Sequence, residues 1–112
     1  MDRLSQYREK IQQLLTQYAN YEIIPTDVDN QVVIDTERDH YLFIRAGWHN
    51  EDHRSYGCVM HLDIINDKIW IQRDGTEIGI ANELVELGVP QHDIVLAYHM
   101  PAKRPLTEFA VG

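Results

Sequence analysis

One cysteine, Cys58, occurs in 112 residues, and a lone thiol excludes an internal disulfide framework. It sits between Gly57 and Val59 in an apolar stretch, the setting of a small buried residue, and the absence of disulfides agrees with a cytoplasmic protein. Basic residues are scarce. Ten Lys and Arg stand against 18 Asp and Glu, a formal charge of −8. Sequence-independent nucleic-acid binding needs Lys and Arg to displace counterions, so this balance argues against direct DNA binding and suits a basic partner surface or simply solubility. No apolar run approaches the roughly 20 residues that span a bilayer, so no membrane contact is expected. The first ten residues are polar, without a signal-peptide core. Serine occurs only at Ser5 and Ser55, neither in a glycine-flanked nucleophile elbow. Cys-x-x-Cys, His-Glu-x-x-His and Gly-Lys-Ser/Thr are all missing, which removes the common zinc and phosphate motifs. No cofactor is implied, and no repeat or low-complexity segment divides the chain.

What is present is an ordinary globular composition, 44% hydrophobic and 25% charged, consistent with one domain over residues 1–112. Residues 67–99 organise the reading. Ile69 and Ile71 alternate, as on one face of a strand over 68–73. Asp74-Gly75 follows as a turn dipeptide in which Gly takes φ > 0 cheaply. Ile80, Leu84 and Leu87 recur at helical spacing, Gly88 is placed to end that helix, and Pro90 prevents its resumption. Residues 94–98 have a short buried-strand pattern.

Upstream, Leu4, Tyr7, Ile11, Leu14, Leu15 and Tyr18 form the apolar stripe of a helix over the first twenty residues, with Asp2 as N-cap. That stripe is expected to pack on a sheet, with helix pairing in a dimer as the alternative. Residues 20–30, holding Pro25, Asp27, Asp29 and Asn30, read as a connecting loop. A meander follows: a strand at 31–36, a charged turn at 37–40, a strand at 41–48, a polar loop at 50–54, a strand at 56–65 and a tight Asn66-Asp67 turn into 68–73. On the third strand, Cys58, Met60, Leu62 and Ile64 alternate to one face, with Val59, His61 and Asp63 on the other. The fold expected is α+β: an N-terminal helix, an antiparallel four-stranded meander, a second helix, one further strand and a C-terminal tail. Phe109 and Val111 are placed to pin the tail, which either covers a sheet edge or offers a contact surface.

The chemistry-bearing groups are loosely spaced. Asp35 and Glu37 share a strand face, as do His61 and Asp63. With His40 or His99 they compose a possible carboxylate–imidazole metal site or acid–base pair. The plainer reading is a solvated strand end and a half-buried His61 paired with Asp63. Asp74-Gly75-Thr76-Glu77 has a structural job: Gly75 supplies the turn, Thr76 or Gly79 begins the helix, and Glu77 favours its positive end and repels an anion. Arg45, Arg54, Arg73, Lys103 and Arg104 are the residues a DNA-binding reading requires. Tyr41, Trp48, Tyr56 and Trp70 fall on the sheet, in core packing or a homodimer face.

Several runs carry a resemblance: Asp35-Thr-Glu-Arg-Asp-His-Tyr41, Gly47-Trp48, Tyr56-Gly-Cys58, His61-Leu-Asp63, Lys68-Ile-Trp-Ile-Gln72, Asp74-Gly-Thr-Glu-Ile-Gly-Ile-Ala-Asn-Glu-Leu84, Leu87-Gly-Val-Pro90, Asp93-Ile-Val-Leu96 and Thr107-Glu-Phe-Ala110. Together they resemble the XisI family, the fdxN element excision controlling factors of filamentous cyanobacteria and their relatives. The resemblance implies a cytoplasmic accessory factor for developmentally programmed DNA rearrangement, with strand chemistry done by a recombinase. It also implies an XisH-like, nuclease-type companion, and it brings no catalytic residue set. The expected mode of action is protein–protein contact, with a homodimer through the sheet aromatics or the first helix. The surface expected to carry it includes Asp35, Glu37, Arg38, His61, Asp63, Asp74, Thr76, Lys103 and Arg104. The alternatives are a metal-dependent enzyme using Asp35, Glu37, His61 and Asp63, and a direct DNA-binding module.

Overall fold

A computed structural model describes residues 2–21, 28–48 and 50–112. Helix α1 (Arg3–Tyr21) is followed by strands β1 (Val28–Asp35), β2 (His40–Trp48), β3 (Arg54–Ile65) and β4 (Lys68–Asp74). Helix α2 (Ile80–Glu86), a 3-10 turn (Gln91–Asp93), strand β5 (Ile94–Leu96) and a second 3-10 segment (Pro101–Leu106) complete the chain. Spatial order equals chain order, β1-β2-β3-β4-β5. The first four strands form an antiparallel meander, and β5 runs parallel to β4. That sense follows from the connection: α2 carries the chain back to the starting end, and parallel strands need such a crossover. The α+β class and element order are those expected, in a mixed sheet.

Burial explains why the elements form where they do. The α1 stripe supplies Tyr7, Ile11, Leu14 and Leu15 to a core shared with Tyr41, Phe43, Met60, Leu62, Ile69, Ile71, Ile80, Leu84, Ile94 and Leu96. Full burial of a side chain such as Phe43 or Leu62 stabilises by roughly 1.5–3 kcal/mol. The stripe is therefore consumed by the core and is not a free helix-pairing surface. Asp2 caps α1 as expected, its carboxylate accepting the Ser5 N–H at 2.8 Å. Among the described residues, no helix is long and apolar enough to cross a membrane.

Three local expectations need correction. The loop assigned to residues 20–30 is shorter, because α1 reaches Tyr21 and β1 begins at Val28; residues 22–27 lie outside the described residues. Gly75 does not use a positive φ, which falls instead on Gly47, Gly79 and Gly88. Gly75 is required by close approach: its N–H donates to the Val59 carbonyl at 2.8 Å, and a Cβ there would stand 2.9 Å from that oxygen. Finally, strict alternation fails on β3. Phe43 pairs with Met60 but Ile44 pairs with Cys58, so Val59 is an extra residue in a bulge and Cys58 turns to the face opposite Met60. A second irregularity on β4 lets His61 pair with Arg73 and Leu62 with Ile71, leaving Gln72 between them.

The turns behave as their residues dictate. Asn66 and Asp67 have φ of 52 and 64, the left-handed pair of a two-residue hairpin. Gly88, at φ 103, ends α2, and the Val89 N–H returns to the Leu84 carbonyl at 3.0 Å. The C-terminal segment covers the β5 edge: the Ala110 N–H donates to the Ile94 carbonyl at 2.8 Å. Phe109 packs on the core, whereas Val111 is exposed.

Candidate functional site

Register builds the one tight group of imidazole and carboxylate side chains found among the described residues. β2 and β3 pair so that His40 faces Asp63 and Leu42 faces His61. Tyr41 and Leu62 between them point into the core, so His40, His61 and Asp63 lie together on the other face of the sheet. Asp63 is 7% exposed, an unusual burial for a carboxylate. It is fully partnered. Its Oδ1 lies 2.8 Å from His40 Nδ1 and 2.9 Å from His61 Nε2, and its Oδ2 accepts from Gln72 Nε2 at 3.3 Å. Both rings turn a nitrogen to the same carboxylate oxygen and meet edge to face, with centroids 6.5 Å apart. The hydrogen bond to Asp63, then its charge, raises the His40 imidazole above its ordinary value.

The other candidates are dispersed. Asp35 folds back on its own turn, Oδ1 accepting the N–H groups of Glu37 at 3.0 Å and Arg38 at 2.9 Å. Those bonds, with the Arg38 side chain, hold its carboxyl below the usual range. Glu37 is exposed and His99 stacks on Tyr98. The set Asp35, Glu37, His61 and Asp63 is thus not assembled as a unit; His40 stands where the two acidic residues were expected. The spacing His61-x-Asp63 was readable in the chain, but His40 joins only through strand pairing.

Asp74 and Thr76 form a bracket for α2. Asp74 Oδ1 accepts from the Thr76 N–H at 2.9 Å and from its hydroxyl, while Oδ2 accepts the Ile80 N–H at 2.8 Å. Thr76 Oγ1 accepts the Gly79 N–H at 3.2 Å. These bonds engage the N–H groups of Thr76, Gly79 and Ile80, at the start of this helix.

The basic residues also have structural work. Arg73 donates to the Cys58 carbonyl at 2.8 Å, and Arg45 Nε to Asn30 at 3.4 Å. Arg104 donates to the His99 and Ala97 carbonyls and lies 5.4 Å from the Trp70 ring centroid, strapping the C-terminal segment to β4; Lys103 is exposed. Burial pushes the Cys58 thiol up, away from nucleophilic character.

The sheet aromatics divide. Tyr41 is fully buried, but Trp48 is 49% and Tyr56 70% exposed. The Arg54 guanidinium lies between them, 5.5 Å from the Trp48 ring centroid and 5.8 Å from that of Tyr56. Strand alternation separates Tyr41 from Trp48 on β2 but does not say which of the two faces the helices cover.

Comparison with known proteins adds what geometry alone does not. A sequence model of the XisI protein family matches residues 1–111. A crystal structure of a XisI-like protein from Anabaena variabilis ATCC 29413 is 43% identical, with a TM-score of 0.93, covering 97% of this chain and 99% of that one. The crystal structure of fdxN element excision controlling factor XisI from Anabaena variabilis ATCC 29413 is 39% identical, with a TM-score of 0.86, covering 99% and 100%. No curated protein matches the chain.

Proposed function

Because this chain belongs to the XisI family, we propose that it is an accessory factor controlling excision of a DNA element, acting by contact with an XisH-like, nuclease-type partner. The observation that carries the reading is the match, over 99% of this chain at 39% identity, to a fdxN element excision controlling factor. Charge supports a contact role. A chain of net charge −8 suits a basic, DNA-handling partner and does not compete for DNA itself. The exposed group Trp48, Arg54 and Tyr56 supplies the contact: these residue types dominate the binding energy of protein interfaces, and here they stand together on an uncovered strand pair. We place a homodimer of this chain in the same cytoplasmic assembly.

Co-expression with the XisH-like protein of the same genome, followed by size-exclusion chromatography with light scattering, tests this. A stable complex of defined stoichiometry is the expected result. Two separate peaks at micromolar concentrations would remove the reading. Light scattering that reports only monomer for the isolated chain at high concentration would remove the homodimer.

A further inference from the structure

We propose that His40, His61 and Asp63 bind one divalent transition-metal ion of the zinc class. One ligand atom from each residue lies within 4.8 Å of the other two. The donor set selects the ion. Two imidazoles and one carboxylate suit Zn²⁺, Co²⁺ or Ni²⁺, whereas Mg²⁺ and Ca²⁺ want oxygen.

An ion fits if the two contacts to Asp63 open and the two imidazole nitrogens, which lie within 4.8 Å of each other, close around it. Metal–ligand bonds of about 2.0–2.1 Å in a tetrahedron place ligand atoms about 3.3 Å apart. The pairs His40 Nδ1–Asp63 Oδ1 and His61 Nε2–Asp63 Oδ1 stand at 2.8 and 2.9 Å. Opening each by roughly half an ångström admits the ion. His40 has the freedom to do so, because half of its side chain is exposed.

Support around the site is built in. Asp63 and both histidines lie on paired strands, which hold ligands more tightly than loops. Gln72 Nε2 donates to Asp63 Oδ2, leaving Oδ1 aimed between the rings, as outer-shell partners of metal ligands do. Three protein ligands leave a fourth position, and the exposure of His40 directs it to solvent. An open position of that kind holds water or an incoming ligand. This site is independent of the Trp48–Arg54–Tyr56 contact and survives its failure.

The test uses the untagged full chain, stripped with chelator, titrated calorimetrically with ZnCl₂ and optically with CoCl₂. One ion per chain is expected, with the visible bands of low-coordinate Co²⁺ bearing imidazole. His40→Ala and His61→Ala should each weaken Zn²⁺ at least tenfold. Gln72→Ala should weaken it about tenfold through Asp63. His53→Ala and His92→Ala, elsewhere on the surface, should bind as the parent does, and excess Mg²⁺ should not compete. Circular dichroism checks each variant's fold; His40→Ala removes only a half-exposed side chain and is the safest of the set. A folded parent that binds no Zn²⁺, or binding unchanged in the His40→Ala/His61→Ala double variant, overturns the site.

Discussion

Arg8 donates from Nε to Asp39 Oδ1 at 2.8 Å, which ties α1 to the turn between β1 and β2. A second guanidinium contact reaches Oδ2 at 3.2 Å, and the Tyr41 hydroxyl donates to Oδ1 at 2.8 Å. Asp39 holds a φ of 58 and offers its carbonyl to the Ile64 N–H at 3.1 Å. One residue thus joins the helix, the turn and the β3 backbone.

This relationship sets an acid dependence. The Arg8 hydrogen bonds, aided by Tyr41, hold the Asp39 carboxyl below the usual carboxylate range despite partial burial. A folded-state value depressed in this way adds stability above the unfolded value of about 3.9, and that stability is lost as pH falls through the folded value. Asp39→Asn keeps the left-handed backbone tolerable but removes the charge. Urea midpoints should therefore favour the parent at pH 7, with the gap narrowing toward pH 3. An equal gap at both pH values would show that the Arg8 pair contributes no charge-linked stability.

Two glycines give a matched pair of opposite outcome. A Cβ on Gly75 would meet the Val59 carbonyl oxygen at 2.9 Å, while one on Gly57 meets nothing within 4 Å. Gly57 has no positive φ. Gly75→Ala should destabilise by about 1–3 kcal/mol, the order of cost when added atoms force a backbone shift. Gly57→Ala should fall within about 0.5 kcal/mol of the parent, or gain slightly from the stiffer unfolded chain. Equilibrium denaturation of the two variants decides it, and equal effects would contradict the bulge geometry at Val59.

The contrast between these glycines also shows where the sequence is legible. Helix α1 is readable because its stripe repeats five times and is spent on one core. The Asn66-Asp67 hairpin is readable because two adjacent turn residues leave few alternatives. Gly75 was expected in a turn; it instead follows the end of β4, and what requires glycine there is Val59, 16 positions away, which it meets only through a bulge. The bulge is illegible for the same cause: strand periodicity has no mark for an extra residue, so Cys58 was given the wrong face. At the candidate site, His61 and Asp63 show their common face through spacing alone. His40 and Gln72 join them through strand pairing, which is not a property of local sequence.

The exposed aromatics make a prediction about assembly. Trp48→Ala with Tyr56→Ala should leave thermal stability near that of the parent, because both rings are substantially solvent-exposed. Affinity for the XisH-like partner should fall at least about thirtyfold, the effect of losing an interfacial hot spot of roughly 2 kcal/mol. Surface plasmon resonance with the co-purified partner reads this directly. Unchanged affinity would move the contact to another face of the chain.

Asp74 yields the last prediction. Its two carboxylate oxygens accept three donors: the Thr76 N–H, the Thr76 hydroxyl and the Ile80 N–H. Gly79, the residue before α2, contributes no side-chain cap of its own, so Asp74 performs from six residues upstream what an N-cap side chain does locally. Removing such a cap costs about 0.5–2 kcal/mol, and leaving the Ile80 N–H without its acceptor adds to that, since Ile80 is fully buried. Asp74→Ala should therefore destabilise by about 2 kcal/mol or more. Asp74→Asn retains one acceptor oxygen and presents an amide to the other donor set, so it should fall between Ala and the parent. Amide exchange locates the effect: opening should accelerate at Ile80 and along α2 while the β2–β3 ladder is unchanged. Acceleration spread evenly over the whole sheet would mean that Asp74 supports the global fold and not the helix start in particular.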